Sequence, residues 1–125
     1  MATQSQHSNY VNIAITTASQ EKMTLMLYDG ALKFTNQAIL AVDENNLLKL
    51  NETIRRALAI IRELQLTLDS RHDISNDMNS LYNYIIQCLL TGNTDKDRSA
   101  LEEARALLKE FRDTWKEAMK LEKKQ

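Results

Sequence analysis

The sequence is poor in the residues that turn or bend a chain. It contains no proline and only two glycines among 125 residues. Folds built from many strands need many turns, and turns draw on glycine and proline. The composition therefore argues against an all-β fold and favours long helices joined by few connections.

Cysteine and histidine are also scarce. Cys88 is alone, so no intrachain disulfide can form, and His7 and His72 are the only histidines. Zinc sites need more of these ligands at set spacings, and di-iron bundles need Glu-x-x-His pairs, which are missing. Cys88 falls on or beside an apolar stripe, where a thiol is usually an inert small hydrophobe. We therefore expect no metal site, no cofactor and no catalytic residue, and we predict that the protein is not an enzyme.

Charge and long apolar runs are limited as well. The net charge is -1, which gives no sign of a nucleic-acid partner or of binding to an anionic membrane surface. The N-terminus lacks the charged-then-apolar pattern of a signal peptide. The longest purely apolar run, Ala38 to Val42, is far short of the ~20 residues that span a bilayer. We expect a soluble, cytoplasmic protein with no direct membrane insertion.

What the sequence does contain is helical periodicity. Four segments repeat apolar residues every three or four positions, which is typical of amphipathic helices. They run from near Ser19 to Val42, from Leu47 to Asp69, from about 76 to 90, and from near Asp97 onward. The short polar connections "DENN", "SRHDISND" and "TGNTDKD" separate them, with Gly92 at the predicted end of the third helix. The pattern predicts an all-α fold, an antiparallel up-down four-helix bundle.

The N-terminal segment does not share this periodicity. Residues 1–16, "MATQSQHSNYVNIAIT", are polar until a small apolar cluster of Tyr10, Val11, Ile13 and Ile15. The cluster is too short to fold alone. We divide the chain into a flexible N-terminal strap at 1–16, a bundle domain at 17–121 and a solvated tail at 122–125.

The first predicted helix is apolar on too many sides. At 100° per residue it carries two stripes that together cover well over half its circumference. Either this helix is central and flanked by two neighbours, or part of the second stripe meets a mobile apolar segment of this or another chain. Gly30 in its interior costs about 1 kcal/mol relative to alanine, and close approach of another backbone would offset that cost. The first stripe holds Met23, Leu27, Gly30, Ala31, Phe34, Ala38 and Ala41, and the second Leu25, Tyr28, Leu32 and Ile39.

The fourth predicted helix has one regular stripe instead. It runs through Leu101, Ala104, Leu108, Phe111, Trp115 and Met119. A single stripe means that one face is buried. Trp115 lies on this stripe, so we expect it to be largely buried.

A resemblance is carried by residues 17 to 34, "TASQEKMTLMLYDGALKF". This stretch is similar to the signature T-A-S-P-E-K-L-T-L-M-L-Y-D-G-A-L-K-F of the flagellar secretion chaperones, the FliS family. Gln20 and Met23 replace the usual proline and leucine. Weaker matches extend the likeness from Tyr10 to about residue 118, through Leu81, Tyr82 and Tyr84 and the segment from Leu107 to Trp115.

The resemblance implies a helical bundle that binds the disordered C-terminal segment of flagellin in the cytoplasm. It implies that the protein prevents premature polymerisation and delivers flagellin to the flagellar type III export gate. It also implies that the N-terminal segment covers part of the binding surface when flagellin is absent. The candidate client-binding residues are Tyr10, Ile13, Ile15, Leu25, Tyr28, Leu32, Leu66, Tyr84 and Ile86.

A different function class stays open at this stage. Histidine phosphotransfer domains are also four-helix bundles, and a generic helical adaptor would show the same periodicity. A phosphotransfer domain carries its reactive histidine on a helix face, whereas the pattern places His72 in a connection.

Overall fold

The computed structural model contains four helices. It describes the backbone of residues 2–69, 71 and 73–124, and the side chains of residues 20–69, 71 and 73–121. No strand occurs in these residues, and none of their helices is both long and apolar enough to cross a membrane. The helices are α1 (Ala2–Asp43), α2 (Leu47–Leu66), α3 (Asp73–Thr94) and α4 (Arg98–Lys124).

The helices are arranged as a four-membered ring. α1 packs against α2 and α4, and α3 packs against the same two helices. The connections are short, so consecutive helices run antiparallel. This arrangement confirms the predicted helical bundle.

Helix ends follow local hydrogen bonding. Asn46 caps α2 by accepting a hydrogen bond from the Lys49 amide at 3.1 Å. Asp97 accepts from the amides of Ser99 and Ala100, so α4 starts where the sequence predicts. α3 is longer at both ends than predicted and includes Gly92.

α1 begins at Ala2, far upstream of the start predicted near Ser19. The reason is that residues 2–18 contain no proline or glycine to stop a helix, whereas a capping residue contributes only about 1 kcal/mol. The polar composition was therefore a poor guide to the backbone of residues 2–16, which is helical. Their side chains, including the apolar cluster, lie outside the described residues, as do those of residues 122–125.

The core takes its largest fully buried side chains from all four helices. On α1 the second stripe is packed inside the bundle, because α4 covers the side of α1 that α2 leaves open. Tyr28, Leu32 and Ile39 are each less than 9% exposed. This burial favours the interpretation in which α1 is flanked by two neighbours.

Both glycines lie in helices at close contacts with side chains. A Cβ atom on Gly30 would lie 3.1 Å from Ile60 Cδ1, so the neighbour of Gly30 is a side chain of α2 and no backbone comes closer. A Cβ atom on Gly92 would overlap Leu101 of α4, with Leu101 Cγ at 2.5 Å. Gly92 has no positive φ, so close packing against α4 explains it and the predicted helix end does not.

The seam between α1 and α4 is polar at regular intervals. Arg98 pairs with Asp43 at 2.9 Å, Arg105 donates to Asn36 at 3.1 Å, and Arg112 lies 3.6 Å from Asp29. On each helix these residues are seven apart, so they share one face. The ladder fixes the antiparallel register of the two helices, and with it the position of Trp115 beside Glu21 of α1.

Candidate functional site

An apolar cavity of about 640 Å³ opens at the end of the bundle that carries the α2–α3 connection. Ligand sites are typically concave, mostly apolar and roughly 300–1,000 Å³ in volume. All four helices contribute to its walls. The apolar lining consists of Met23, Leu27, Leu68, Ile74, Met78 and Trp115, and the polar lining of Gln20, Glu21, Thr24, Tyr28, Glu63, Thr67, Asp69, Ser75 and Tyr82.

The local sequence explains why the bundle is open here. α2 ends at Leu66, and Thr67 closes its last turn by donating from its hydroxyl to the Leu64 carbonyl at 2.6 Å. α1 continues past this level, so side chains on α1 have no partner on α2 there. Two apolar side chains at the mouth are consequently solvent-exposed, Met23 by 60% and Ile74 by 68%.

Tyr28 and Tyr82 line the inner part of the cavity. Their hydroxyl oxygens are 2.5 Å apart, a hydrogen bond that joins α1 to α3 across the bundle. The ring of Phe111 on α4 contacts both, with centroids 6.4 Å from Tyr28 and 5.8 Å from Tyr82. Burial raises the pKa of Tyr28 and that of Tyr82, so both phenols stay protonated at neutral pH.

Trp115 forms one wall of the cavity. Its indole nitrogen donates to the backbone carbonyl of Glu21 at 3.1 Å, which ties α4 to α1 at the mouth. The side chain is only partly buried, although the regular stripe predicted that it is largely buried. The reason is that the indole lines the cavity.

The structure separates the candidate client-binding residues by exposure. Tyr28 and Leu32 are buried in the core, while Leu25 and Ile86 are partly buried. Those side chains that face solvent are Leu66, at 79%, and Tyr84, at 45%.

These candidates are not gathered at one place. Leu66 is the last residue of α2, at the cavity end of the bundle. Tyr84 donates a hydrogen bond to Glu103 Oε1 at 2.5 Å, which places it at the seam between α3 and α4. This bond and Cys88 nearby contribute to raising the pKa of Tyr84 to about 12. Tyr28 lines the cavity itself.

The described side chains do not include those of three candidates and of the two histidines. Tyr10, Ile13 and Ile15 lie on the helical backbone of α1, but their side chains are outside the described residues. The same holds for His7, and His72 is outside them altogether. Cys88 is buried, as its position on the α3 stripe predicts.

Helical periodicity alone does not reveal most of the cavity wall. Leu27 and Trp115 lie on predicted core stripes, and both, like Met78, are partly buried against the core. The missing signal was their level along the helices, because all three lie toward the end of the bundle that carries the α2–α3 connection. The pattern predicts a connection at Ile74, but this residue lies in the first turn of α3.

Comparison with known proteins gives consistent matches over nearly the whole chain. A family model described as flagellar protein FliS matches residues 2–122. The flagellar secretion chaperone FliS of Bacillus subtilis (strain 168) is 35% identical over 99% of this chain and 93% of that protein. The proteins of the same name from Escherichia coli (strain K12) and Salmonella typhimurium (strain LT2) are 34% and 31% identical, over 87% and 86% of this chain and 82% of each protein.

Proposed function

The chain belongs to the FliS family of flagellar secretion chaperones, and we propose that it binds the disordered C-terminal segment of flagellin in the cytoplasm. In this proposal the bound segment cannot polymerise prematurely, and the complex is delivered to the flagellar type III export gate. The relatives' shared name supports the chaperone role. The observation that carries the binding role is the apolar cavity with exposed Met23 and Ile74 at its mouth.

The apolar surface suits an amphipathic client. A helix that is disordered when free can bury its apolar face in a groove between helices. Leu66, at the same end of the bundle, extends the apolar surface beyond the cavity. Exposed apolar residues grouped in this way are typical of a protein-binding site.

The energetics suit a delivery factor. Burying an apolar side chain contributes about 1.5–3 kcal/mol, and ordering the client costs about 2–5 kcal/mol or more. A few side chains in the cavity therefore suffice for binding, while the ordering cost keeps the affinity moderate. Release then needs no nucleotide hydrolysis.

The candidate client-binding residues take different roles in this proposal. Leu66 and Tyr84 contact the client directly, since both are exposed. Leu25 and Ile86 contribute their exposed parts. Tyr28 acts from inside the cavity, and the buried Leu32 supports the helix from the core.

We also propose that the strap, residues 1–16, covers apolar surface of the bundle when no client is present. Tyr10, Ile13 and Ile15 supply the apolar contacts. A continuous α1 directs this segment along its own axis, so the strap reaches the cavity only if α1 is interrupted upstream of the described side chains. Interrupting α1 requires free energy. When the client displaces the strap, α1 can become continuous again and this free energy is recovered.

A pull-down with two forms of flagellin tests the proposal. Full-length flagellin should be captured by the protein, and flagellin without its last ~40 residues should not. The span of ~40 residues is about 60 Å of helix, longer than α2, α3 or α4. Equal capture of both forms would contradict a site for the C-terminal segment, and failure to capture either would contradict the flagellin-binding role.

A further inference from the structure

We propose that the cavity binds an apolar side chain together with a neutral hydrogen-bond acceptor, which takes the one hydroxyl proton that the pair of Tyr28 and Tyr82 leaves unused. The inference rests on the proposed function, because a client segment offers both groups: an apolar side chain and a backbone carbonyl.

The proton count of the pair leads to this proposal. Each phenol has one O–H donor and can also accept. In the hydrogen bond between the two hydroxyls, either one donates, and the proton of the other remains. No other atom of the described residues bonds to either hydroxyl. Tyr28 is 4% exposed and Tyr82 2%, so both side chains are largely shielded from bulk water.

A hydrogen bond to a buried donor is favourable even net of the water that it replaces, so a group that supplies an acceptor gains affinity. Both side chains line the cavity, which is the space from which an acceptor can reach them. Because burial raises both pKa values, the proton stays on the phenol over the neutral pH range.

The lining defines which acceptor fits. Among the described residues of the wall there is no lysine, arginine or histidine, and Glu21, Glu63 and Asp69 are acidic. A carboxylate or phosphate would therefore lose its hydration beside acidic side chains, which is unfavourable. An amide carbonyl carries no net charge and accepts a phenol proton readily. Met23 and Met78 are flexible and polarisable, so they adapt to apolar groups of different shape.

Two matched fragments test the proposal on the full-length protein without any client. Acetophenone and α-methylstyrene have nearly the same shape, but only acetophenone has a carbonyl. Binding is followed by NMR through the methyl groups of Met23 and Met78, with Met26 as the control, since it is 71% exposed and does not line the cavity. Both fragments are also titrated into Tyr28→Phe, Tyr82→Phe and the double variant.

We expect acetophenone to bind the wild type about fivefold more tightly than α-methylstyrene, the factor that one net hydrogen bond of ordinary strength gives. Each single variant keeps one hydroxyl proton and should keep the preference, whereas the double variant should lose it. If the double variant does not fold, the Cζ resonances of the two tyrosines decide in the wild type: acetophenone should shift them clearly more than α-methylstyrene, which contributes only its ring current.

Three results would overturn the proposal. These are equal affinities of the two fragments for the wild type, a preference for acetophenone that persists in the double variant, and no shift of the Met23 and Met78 methyl groups with either fragment. Because no flagellin is present, a failure of the client-binding proposal leaves this test unaffected.

Discussion

Replacing each glycine by alanine tests how tightly the helices pack. A Cβ atom on Gly92 overlaps Leu101, whose Cγ would be 2.5 Å away. Leu101 is fully buried, and its Cγ is close to the α4 backbone, so it cannot move aside cheaply. Overpacking of this kind costs about 1–3 kcal/mol. Gly92 is near the end of α3, so the gain in helix propensity is below the ~1 kcal/mol of a helix centre.

Gly30→Ala is the matched control. The closest atom to its added Cβ is Ile60 Cδ1 at 3.1 Å, the end of a flexible, partly buried side chain that can shift by a few tenths of an ångström. Gly30 is in the middle of α1, where alanine gains about 1 kcal/mol over glycine. We therefore expect Gly30→Ala to be neutral or to stabilise the fold by up to about 1 kcal/mol.

Urea unfolding followed by circular dichroism at 222 nm measures both effects. Gly92→Ala should lower the free energy of unfolding by about 1–2 kcal/mol, which corresponds to roughly 3–10 °C in Tm for a domain of this size. Stabilisation by Gly92→Ala, or equal destabilisation by both variants, would refute the account of helix packing.

Three further predictions concern the cavity end of the bundle. Trp115→Ala should lower the free energy of unfolding by about 1–3 kcal/mol, less than the roughly 3–5 kcal/mol lost with a fully buried tryptophan. Trp115→Phe should lower it by about 1 kcal/mol, because it loses chiefly the hydrogen bond to the Glu21 carbonyl. A loss above about 4 kcal/mol for Trp115→Ala in urea unfolding would show full burial. Burial raises the pKa of Tyr28 and of Tyr82, so their contribution to stability is complete below the unfolded pKa of about 10 and is lost as the pH rises above it. Between about pH 9 and 11 the urea midpoint should therefore fall more steeply in the wild type than in the double phenylalanine variant, and equal slopes would contradict this. Tyr10→Ala should weaken binding of a C-terminal flagellin peptide in isothermal titration, because the tyrosine contributes contacts in the complex, and equal affinities for wild type, Tyr10→Ala and a deletion of residues 1–16 would contradict the strap.

The helical bundle could be predicted because each stripe needs a partner. Leu101, Ala104 and Leu108 recur at helical spacing and are all fully buried. The start of α4 was also predictable, since Asp97 caps it through its own side chain. These features follow from the local sequence and from the rule that the apolar face of a helix is buried.

Other features depend on how the helices lie against one another, which the periodicity of each single helix does not show. The second stripe of α1 is buried because α4 lies against it, and Tyr28 meets Tyr82 although the two are 54 residues apart. The cavity exists because α2 ends at Leu66 while α1 extends further along the bundle. Apolar residues such as Met23 therefore stay exposed at the mouth of the cavity. The start of α1 was predicted wrongly because a weak capping signal was given more weight than the lack of any helix-breaking residue.

The central claim is that the cavity is the binding site for the client. Met23 and Met26 are both exposed methionines of α1, at 60% and 71%, but only Met23 lines the cavity. Met23→Glu places a carboxylate at an apolar wall without a counter-charge, and it removes apolar contact with the client. Met26→Glu makes the same change on the same helix, away from the cavity.

Isothermal titration of the wild type and these two variants with a peptide of the last ~40 residues of flagellin is the most direct test. We predict that Met23→Glu weakens binding about tenfold or more, the effect of losing roughly 1.4 kcal/mol or more, and that Met26→Glu stays within about twofold of the wild type. Circular dichroism should show the same helix content in all three proteins. Unchanged binding by Met23→Glu, or an equal loss in both variants, would contradict a client site in the cavity.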